Sequence, residues 1–553
     1  MKNPYDAILP SESIRLGKKS AWALGALFLA GILVLPVLRN VSEANSDDGW
    51  VPAVEFFQSL KPEKRRGIAK RLRDFETKLG DNADFAADLR RVTQARLTDW
   101  FGEGSNRTVI GKDGWLFFRP ALQALTGYGP IKREPRSVAK DPSRPEWRPA
   151  LEAIVRFSEQ LHERDIELVL VPAPVKPMIY PEHLGAPADT PVRHQDSDRF
   201  FKAVRDAGVE VIDMADTFFE MKADDDDQGS VFLKQDTHWH PRAMAATTEA
   251  VAKHLQNRPW FASLGASSIE TKIESVAAHH IGDLVEKLDF AEPEAFFAKE
   301  EARLVRVLNA ATGEALGSDL TSPIVILGDS FVNVFDDPGL GFAIGKGEDG
   351  EPKRIGAGFA QTLAQELHQP LDVIAINGQA ATGVRETFAR RYEDEVRTKK
   401  AVVWIIAARD LFLSETPANG LVRWDHVTFN PDKRAAHAIP RQGFAAEGTI
   451  RFKSELEDPS DVPYPDCLYV IEVEVDKIVS GRAPEEAEEI NVVLWAFRDR
   501  KYLPESNYKE NQRLRLSLVP WETKTKLQTT NISNDSFEIN RALWFAEEAE
   551  VIE

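Results

Sequence analysis

Between residues 147 and 408 the chain alternates two hydrophobic rhythms. Near-continuous apolar runs (Ile166–Val171, Val209–Met214, Pro323–Leu327, Leu371–Asn377, Ala401–Ala408) are separated by stretches with apolar positions three and four apart (147–164, 197–207, 357–367, 385–396). Runs of the first kind fit strands buried on both faces of a parallel sheet, and the second kind fit the helices that cover them. An α/β layered domain is therefore expected over about 105–430. After residue 440 the helical rhythm fades. Short apolar segments at Leu468–Val475, Ile490–Phe497 and Leu514–Leu518, divided by Pro, Asn, Asp and Gly clusters, predict a C-terminal all-β domain over 440–553.

The N-terminus follows a different pattern. Ala21–Leu38 gives 18 residues without a charge, about 27 Å of helix, enough to cross a bilayer. Arg15, Lys18 and Lys19 precede it, and Glu43, Asp47 and Asp48 follow. That bias predicts a cytoplasmic N-terminus (1–20), a transmembrane anchor (21–38) and a bulk that is periplasmic, with the protein single-pass in the inner membrane. A cleaved signal peptide is the competing reading, but no clear small-residue cleavage site follows the run. Residues 39–104, with apolar positions such as Phe56, Leu60, Ile68 and Leu72, read as a helical membrane-proximal region.

Composition narrows the function. In 553 residues there are 69 Lys and Arg against 88 Asp and Glu, a net charge of −19, so nucleic acid is an unlikely partner. The single cysteine, Cys467, rules out an intrachain disulfide and a thiolate-rich metal site.

Three segments carry chemistry. In Ile324–Phe331 (IVILGDSF) an apolar strand runs into Gly328, Asp329 and Ser330. Ligands bind beyond the carboxyl ends of parallel strands, so Ser330 is either a nucleophile or only a cap for the next helix. In Gln235–Arg242 (QDTHWHPR), Asp236 and His238 precede a helix that Pro241 opens. A serine attacks only when a base takes its proton, and a carboxylate that fixes the imidazole tautomer makes histidine that base. His240 invites a metal reading with Asp236 and His238, but no further His or Cys motif supports it, His279–His280 reads as a solvated loop, and no metal or other cofactor is expected. In Asn377–Gly383 (NGQAATG), Asn377 and Gly378 follow another strand and offer backbone N–H groups to an oxyanion, or form a plain turn. Arg409, past the last strand, is a substrate-binding candidate or a surface ion pair.

These residues resemble the alginate O-acetyltransferase family of the AlgX/AlgJ type, with its SGNH-hydrolase-like domain. The resemblance spans about residues 105–415. It is carried by GKDGWLFF (111–118), VPAPVKPMIYPEHL (171–184), DTHWHPRA (236–243), GDL (282–284) and LGDSF (327–331). As in that family, the Asp-x-His block precedes the Ser block, a permuted order relative to ordinary SGNH enzymes. The resemblance implies Ser330 as nucleophile, His238 as base, Asp236 as its orienting acid, Asn377–Gly378 at the oxyanion hole and Arg409 facing substrate. It further implies O-acetylation of an extracytoplasmic polysaccharide, with a membrane-bound O-acyltransferase partner as acyl source. A carbohydrate esterase and a non-catalytic polysaccharide-binding scaffold are the alternatives. In the β domain, Trp495, Phe497, Tyr502, Tyr508, Trp521 and Trp544 are core residues or a sugar-stacking platform.

Overall fold

The computed structural model describes residues 84–552, except 128, 131–149, 226–228, 266–269, 343–353, 414–421, 423, 433–442, 457–458, 460–461, 463–465, 482–487, 525–526, 528–529, 535 and 537–540. The expected anchor at 21–38 and most of the membrane-proximal stretch lie outside the described residues. Among the described residues no helix is long and apolar enough to cross a membrane. The chain divides into two compact units, residues 1–93 and 94–553, and every strand among the described residues belongs to the second.

A small hairpin, β1 (Thr108–Ile110) and β2 (Leu116–Phe118), opens this unit. A five-stranded sheet follows, built from β3 (Glu167–Ala173), β4 (Glu210–Val211), β7 (Ile324–Gly328), β8 (Asp372–Ala375) and β9 (Ala401–Ala407). Its order is β4-β3-β9-β7-β8 and every pairing is parallel. Side chains alternate across it. Val169, Val171, Ile324, Ile326, Val403 and Ile405 join the core under helices Pro241–Gln256 and Phe359–Leu367. Leu168, Leu170, Val325, Leu327, Val402 and Trp404 join the opposite core, with helices Ala150–His162, Ser197–Asp206 and Gly383–Ala389. Both faces are dry, which is why the strand sequences lack polar alternation.

The structure departs from the predicted elements in three places. The run Val209–Met214 keeps only two residues in β4, because Asp213 accepts from Ala215 N at 3.0 Å and turns the chain into helix Ala215–Met221. The helix expected over 385–396 is two, Gly383–Ala389 and Glu393–Val396. Between them Arg391 turns inward to pair with the fully buried Asp372 of β8. An antiparallel hairpin of β5 (Thr271–His280) and β6 (Glu300–Asn309) occupies a stretch with no predicted strand, and it places His279 and His280 at a strand end.

The C-terminal strands are β10 (Phe444–Lys453), β11 (Cys467–Gly481), β12 (Glu489–Arg498), β13 (Lys501–Tyr502), β14 (Arg513–Pro520), β15 (Asn531–Ser533) and β16 (Leu543–Ile552). Five of them close on themselves in the cycle β10-β11-β12-β16-β14, and only β12–β16 is parallel. This is the connectivity of an OB-type barrel. Phe497 and Trp544 fill its interior. Tyr508 donates to Ala549 O at 2.8 Å, Trp495 lies under Arg498, and Trp521 packs beside Phe545 over the outer face. Of the six aromatics considered for stacking, Tyr502 is the most exposed.

Arg385 is fully buried, its guanidinium lying 5.4–5.7 Å from the rings of Phe157, Trp404 and Trp424 and donating to Ala381 O and Asp425 O. It ties the segment after β9 to the sheet. Arg385→Ala removes that packing and strands a buried carbonyl, so a urea titration is expected to show a loss of about 2–4 kcal/mol.

Candidate active site

Strand β7 ends at Gly328, where a Cβ would collide with the side chain of Val332. The close turn lets Asp329 cap the short helix Ser330–Asn333, its Oδ1 accepting from Phe331 N at 2.9 Å. The capping role is thus taken by Asp329. Ser330 is left with its hydroxyl facing the loop that precedes helix Pro241–Gln256.

That loop is anchored by Trp239, fully buried against Phe331 and Phe359, and by a bridge between Phe232 and Trp239. It brings the imidazole of His238 to Ser330: Nε2 lies 2.8 Å from Oγ. On the other ring nitrogen, Nδ1 lies 2.6 Å from Asp236 Oδ1. A carboxylate there fixes the tautomer with the proton on Nδ1, leaving Nε2 to accept from the serine. All three side chains are buried. Burial alone would raise the Asp236 carboxyl, but His238 and N–H donors from Asp283 and His238 outweigh it and hold the group well below the usual carboxylate range.

The same motif is held from outside by Asp283. Its N–H donates to Asp236 Oδ2 at 2.9 Å, and its carboxylate accepts from Thr237 N at 2.6 Å, Thr237 Oγ1 at 2.8 Å and Lys287 Nζ at 2.8 Å. Asp283 had no assigned role in the sequence; the only signal was the Gly282–Asp283–Leu284 triplet. Asp236, His238 and Asp283 stand close enough to be metal ligands, yet both carboxylates are occupied by N–H donors. His240 caps helix Pro241–Gln256, and burial and Arg242 push its imidazole down to about 4.

Asn377 and Gly378 lie on the turn after β8, the neighbour of β7. The Asn377 amide accepts from Asn333 Nδ2 at 3.0 Å and donates to Asp337 Oδ2 at 3.0 Å, which ties this turn to the Ser330 helix. Arg409 lies at the end of β9 with its guanidinium 5.7 Å from the ring of Phe331 and 5.3 Å from that of Phe118. Its Nε approaches Asp410 at 3.3 Å, a half-buried ion pair rather than one on the open surface. Burial raises the carboxyls of Asp329 and Asp410 against the pull of Arg409, Asp410 to about 6. A separate cleft of about 670 Å³, lined by Arg193, Arg205, Asp213, Asp216, Lys253 and His254 among others, includes none of these groups.

A serine, a histidine and an aspartate within hydrogen-bond reach at the carboxyl edge of a parallel α/β sheet form the arrangement that serine acyltransferases and hydrolases use. Residues 108–408 match the family model described as the SGNH hydrolase-like domain of acetyltransferase AlgX, and because that match covers more than half of the chain, the protein belongs to this family. It is 31% identical over 185 residues to the probable alginate O-acetylase AlgJ of Pseudomonas aeruginosa, covering 32% of this chain and 38% of the relative. It is 25% identical over 240 residues to the Pseudomonas putida counterpart, covering 42% and 56%. The chain thus spans from under two-fifths to just over half of the length of these relatives. Among solved structures, the O-acetyltransferase domain of Pseudomonas putida AlgJ aligns with a TM-score of 0.39 at 20% identity, over 56% of this chain and 94% of that one. Pseudomonas aeruginosa AlgX aligns with a TM-score of 0.39 at 15% identity, over 74% and 89%.

Two outcomes are expected at the loop. Gly282 has a φ of +92° and a Cβ there would strike the carbonyl of Gln235, so Gly282→Ala is expected to cost about 1–3 kcal/mol and to lower turnover, read by thermal melting alongside an acetyl-ester assay. Because the Asp236 carboxyl is depressed in the fold, its contribution is complete above the free carboxylate value and is lost as pH falls through the folded one. Asp236→Asn is therefore expected to flatten the acid limb of stability below about pH 4, read by urea titration at successive pH values.

Proposed function

We propose that this protein transfers acetyl groups through a Ser330 ester to hydroxyls of an extracytoplasmic polysaccharide. The observation that carries the reading is the His238 imidazole, within hydrogen-bond reach of both Ser330 Oγ and Asp236 Oδ1. In the first half-reaction Oγ attacks the acyl carbonyl as its proton passes to Nε2, and the tetrahedral intermediate collapses when that proton goes to the leaving group. In the second, Nε2 takes the proton of a sugar hydroxyl, the resulting oxygen attacks the ester, and the proton returns to Ser330 as the acetylated sugar leaves. Asp236 stays ionised and stabilises the imidazolium.

Each half-reaction builds an oxyanion beside β7 and β8, and the Asn377–Gly378 turn is the donor proposed for it. Arg409, with its guanidinium held between Phe118 and Phe331, is proposed to orient a polar group of the substrate. Membership of the acetyltransferase family and relatives named alginate O-acetylases support acetyl as the group moved and a polysaccharide as acceptor. The apolar run 21–38 and its flanking charges support an anchored protein with its catalytic unit on the periplasmic side. A membrane-bound O-acyltransferase is the proposed source of the acetyl group.

The test is intact-protein mass after incubation with p-nitrophenyl acetate, followed by addition of polysaccharide fragments. A single acetyl adduct, absent in Ser330→Ala and discharged onto the oligosaccharide, is the expected result. Discharge only to free acetate makes the protein an esterase, and no Ser330-dependent adduct makes it a scaffold. Ser330→Ala and His238→Ala are each expected to lower transfer by 10³-fold or more, on the order of 4 kcal/mol of barrier.

A further inference from the structure

Three elements distant in the chain, β2, the short helix Lys176–Ile179 and β6, grip the Lys234–Gln235 segment of the loop that carries Asp236 and His238; from β2, Leu116 N donates to Lys234 O at 2.9 Å. Lys176, the first residue of the short helix Lys176–Ile179 after β3, is 2% exposed, and its Nζ donates to Leu116 O at 2.8 Å and to Lys234 O at 2.9 Å. From the other side Glu300, the first residue of β6, accepts from Lys234 N at 2.7 Å on Oε1 and from Gln235 N at 2.6 Å on Oε2. The carbonyl and the N–H of Lys234 are thus held by an ammonium and a carboxylate, two residues before Asp236. Gln235 is fixed further by Leu284 N on its carbonyl at 3.2 Å and by Ala298 O on its side chain at 2.7 Å.

We propose that Lys176 and Glu300 are positioning residues for acetyl transfer: they set where the Lys234–Gln235 backbone lies and, through it, whether His238 reaches Ser330. The proposal rests on the reading of Ser330 as nucleophile. Neither side chain touches the reacting atoms; both act through the loop.

Packing does not account for the lysine. Burial pushes its ammonium down to about 8, against the opposing pull of Glu300, Asp236 and Asp283. A lysine whose folded value lies below its free value makes folding less favourable wherever it is protonated, so at neutral pH the charge costs stability. An alkyl chain of the same length would fill the space without that cost. What an alkyl chain cannot do is donate to two carbonyls on different elements, β2 and the catalytic loop. Nor can it offset the carboxylate of Glu300 on the far side of the same peptide.

The geometry at stake is small in distance and large in effect, since about 1 Å of misplacement between reacting groups can cost 10²-fold in rate. The experiment compares full-length wild type, Lys176→Met and Glu300→Gln by acetyl-adduct formation from p-nitrophenyl acetate, thermal melting, and hydrogen exchange at the amides of 234–237. The expected result for both variants is a kcat lowered about 10- to 10²-fold with KM unchanged. Exchange is expected to quicken at 234–237 while the β3 and β7 amides stay protected. Wild-type kcat in both variants overturns the proposal, and so does a loss of kcat matched by exchange that quickens throughout the sheet, since that reports unfolding rather than a misplaced loop. If Lys176→Met does not fold, Glu300→Gln gives the same decision. A wild-type protein without a Ser330-dependent adduct overturns the acetyl-transfer reading itself, and exchange at 234–237 in the variants then decides whether the pair holds the loop.

Discussion

The contact between the His238 imidazole and the Ser330 hydroxyl joins side chains 92 residues apart. Closing a loop of that length costs chain entropy that a single hydrogen bond does not offset. The offset comes from the sheet. β7 lies between β8 and β9 with every residue buried, so the position of Gly328, and therefore of Ser330, is set by two neighbouring strands and two apolar cores. On the other side Trp239 fills a fully buried slot against Phe331, the residue after the serine. The segments that carry Ser330 and His238 are thereby packed against each other directly, one ring deep.

Charge is concentrated where water is scarce. Asp236, Asp329, Arg409 and Lys176 are all buried or nearly so within the neighbourhood of one serine. Such groups cost desolvation energy and are tolerated only when they are bonded to one another or to the backbone. Asp236 meets that condition fully, with its oxygens taken by His238 and by the N–H of Asp283. Asp329 meets it in part: one oxygen caps a helix and the other finds no hydrogen-bond partner among the described residues, which fits a carboxyl raised from its usual value. The stability given up there lies next to Ser330, at the carboxyl edge of the sheet.

The barrel bears on the same site from a distance. The outer face of β11, β12 and β16 is apolar, formed by Leu468, Val470, Val493, Leu543 and Phe545, and the protein's own Trp521, Leu527 and Ile532 pack over it. The short β15 adds to β11 there in parallel, and Ile532 O accepts from Gln379 Nε2 at 3.3 Å, in the turn that holds Asn377. The face of an OB-type barrel that commonly meets ligands is therefore covered by the barrel's own connection. The charged strands β10, β11 and β14 pair among themselves, Arg515 with Glu447 at 2.8 Å and Arg513 with Asp476 at 3.2 Å.

The sequence by itself determined the layered α/β plan, because strands buried on both faces must read as unbroken apolar runs. It also marked Ser330, Asp236 and His238, because a strand end followed by Gly-Asp-Ser, and an Asp two residues before a His, leave local signatures that need no knowledge of neighbours. Tertiary structure decided what depends on partners far along the chain. The β5–β6 pair alternates charged and apolar residues too weakly to stand out, and it exists because its two strands find each other across the long connection 281–299. Barrel closure requires β12 to meet β16 and β14 to meet β10, pairings no local rhythm encodes. Asp283, Lys176 and Glu300 look like ordinary surface charges in one dimension; only packing buried Lys176, half-buried the other two and aimed each at a backbone group of the same loop.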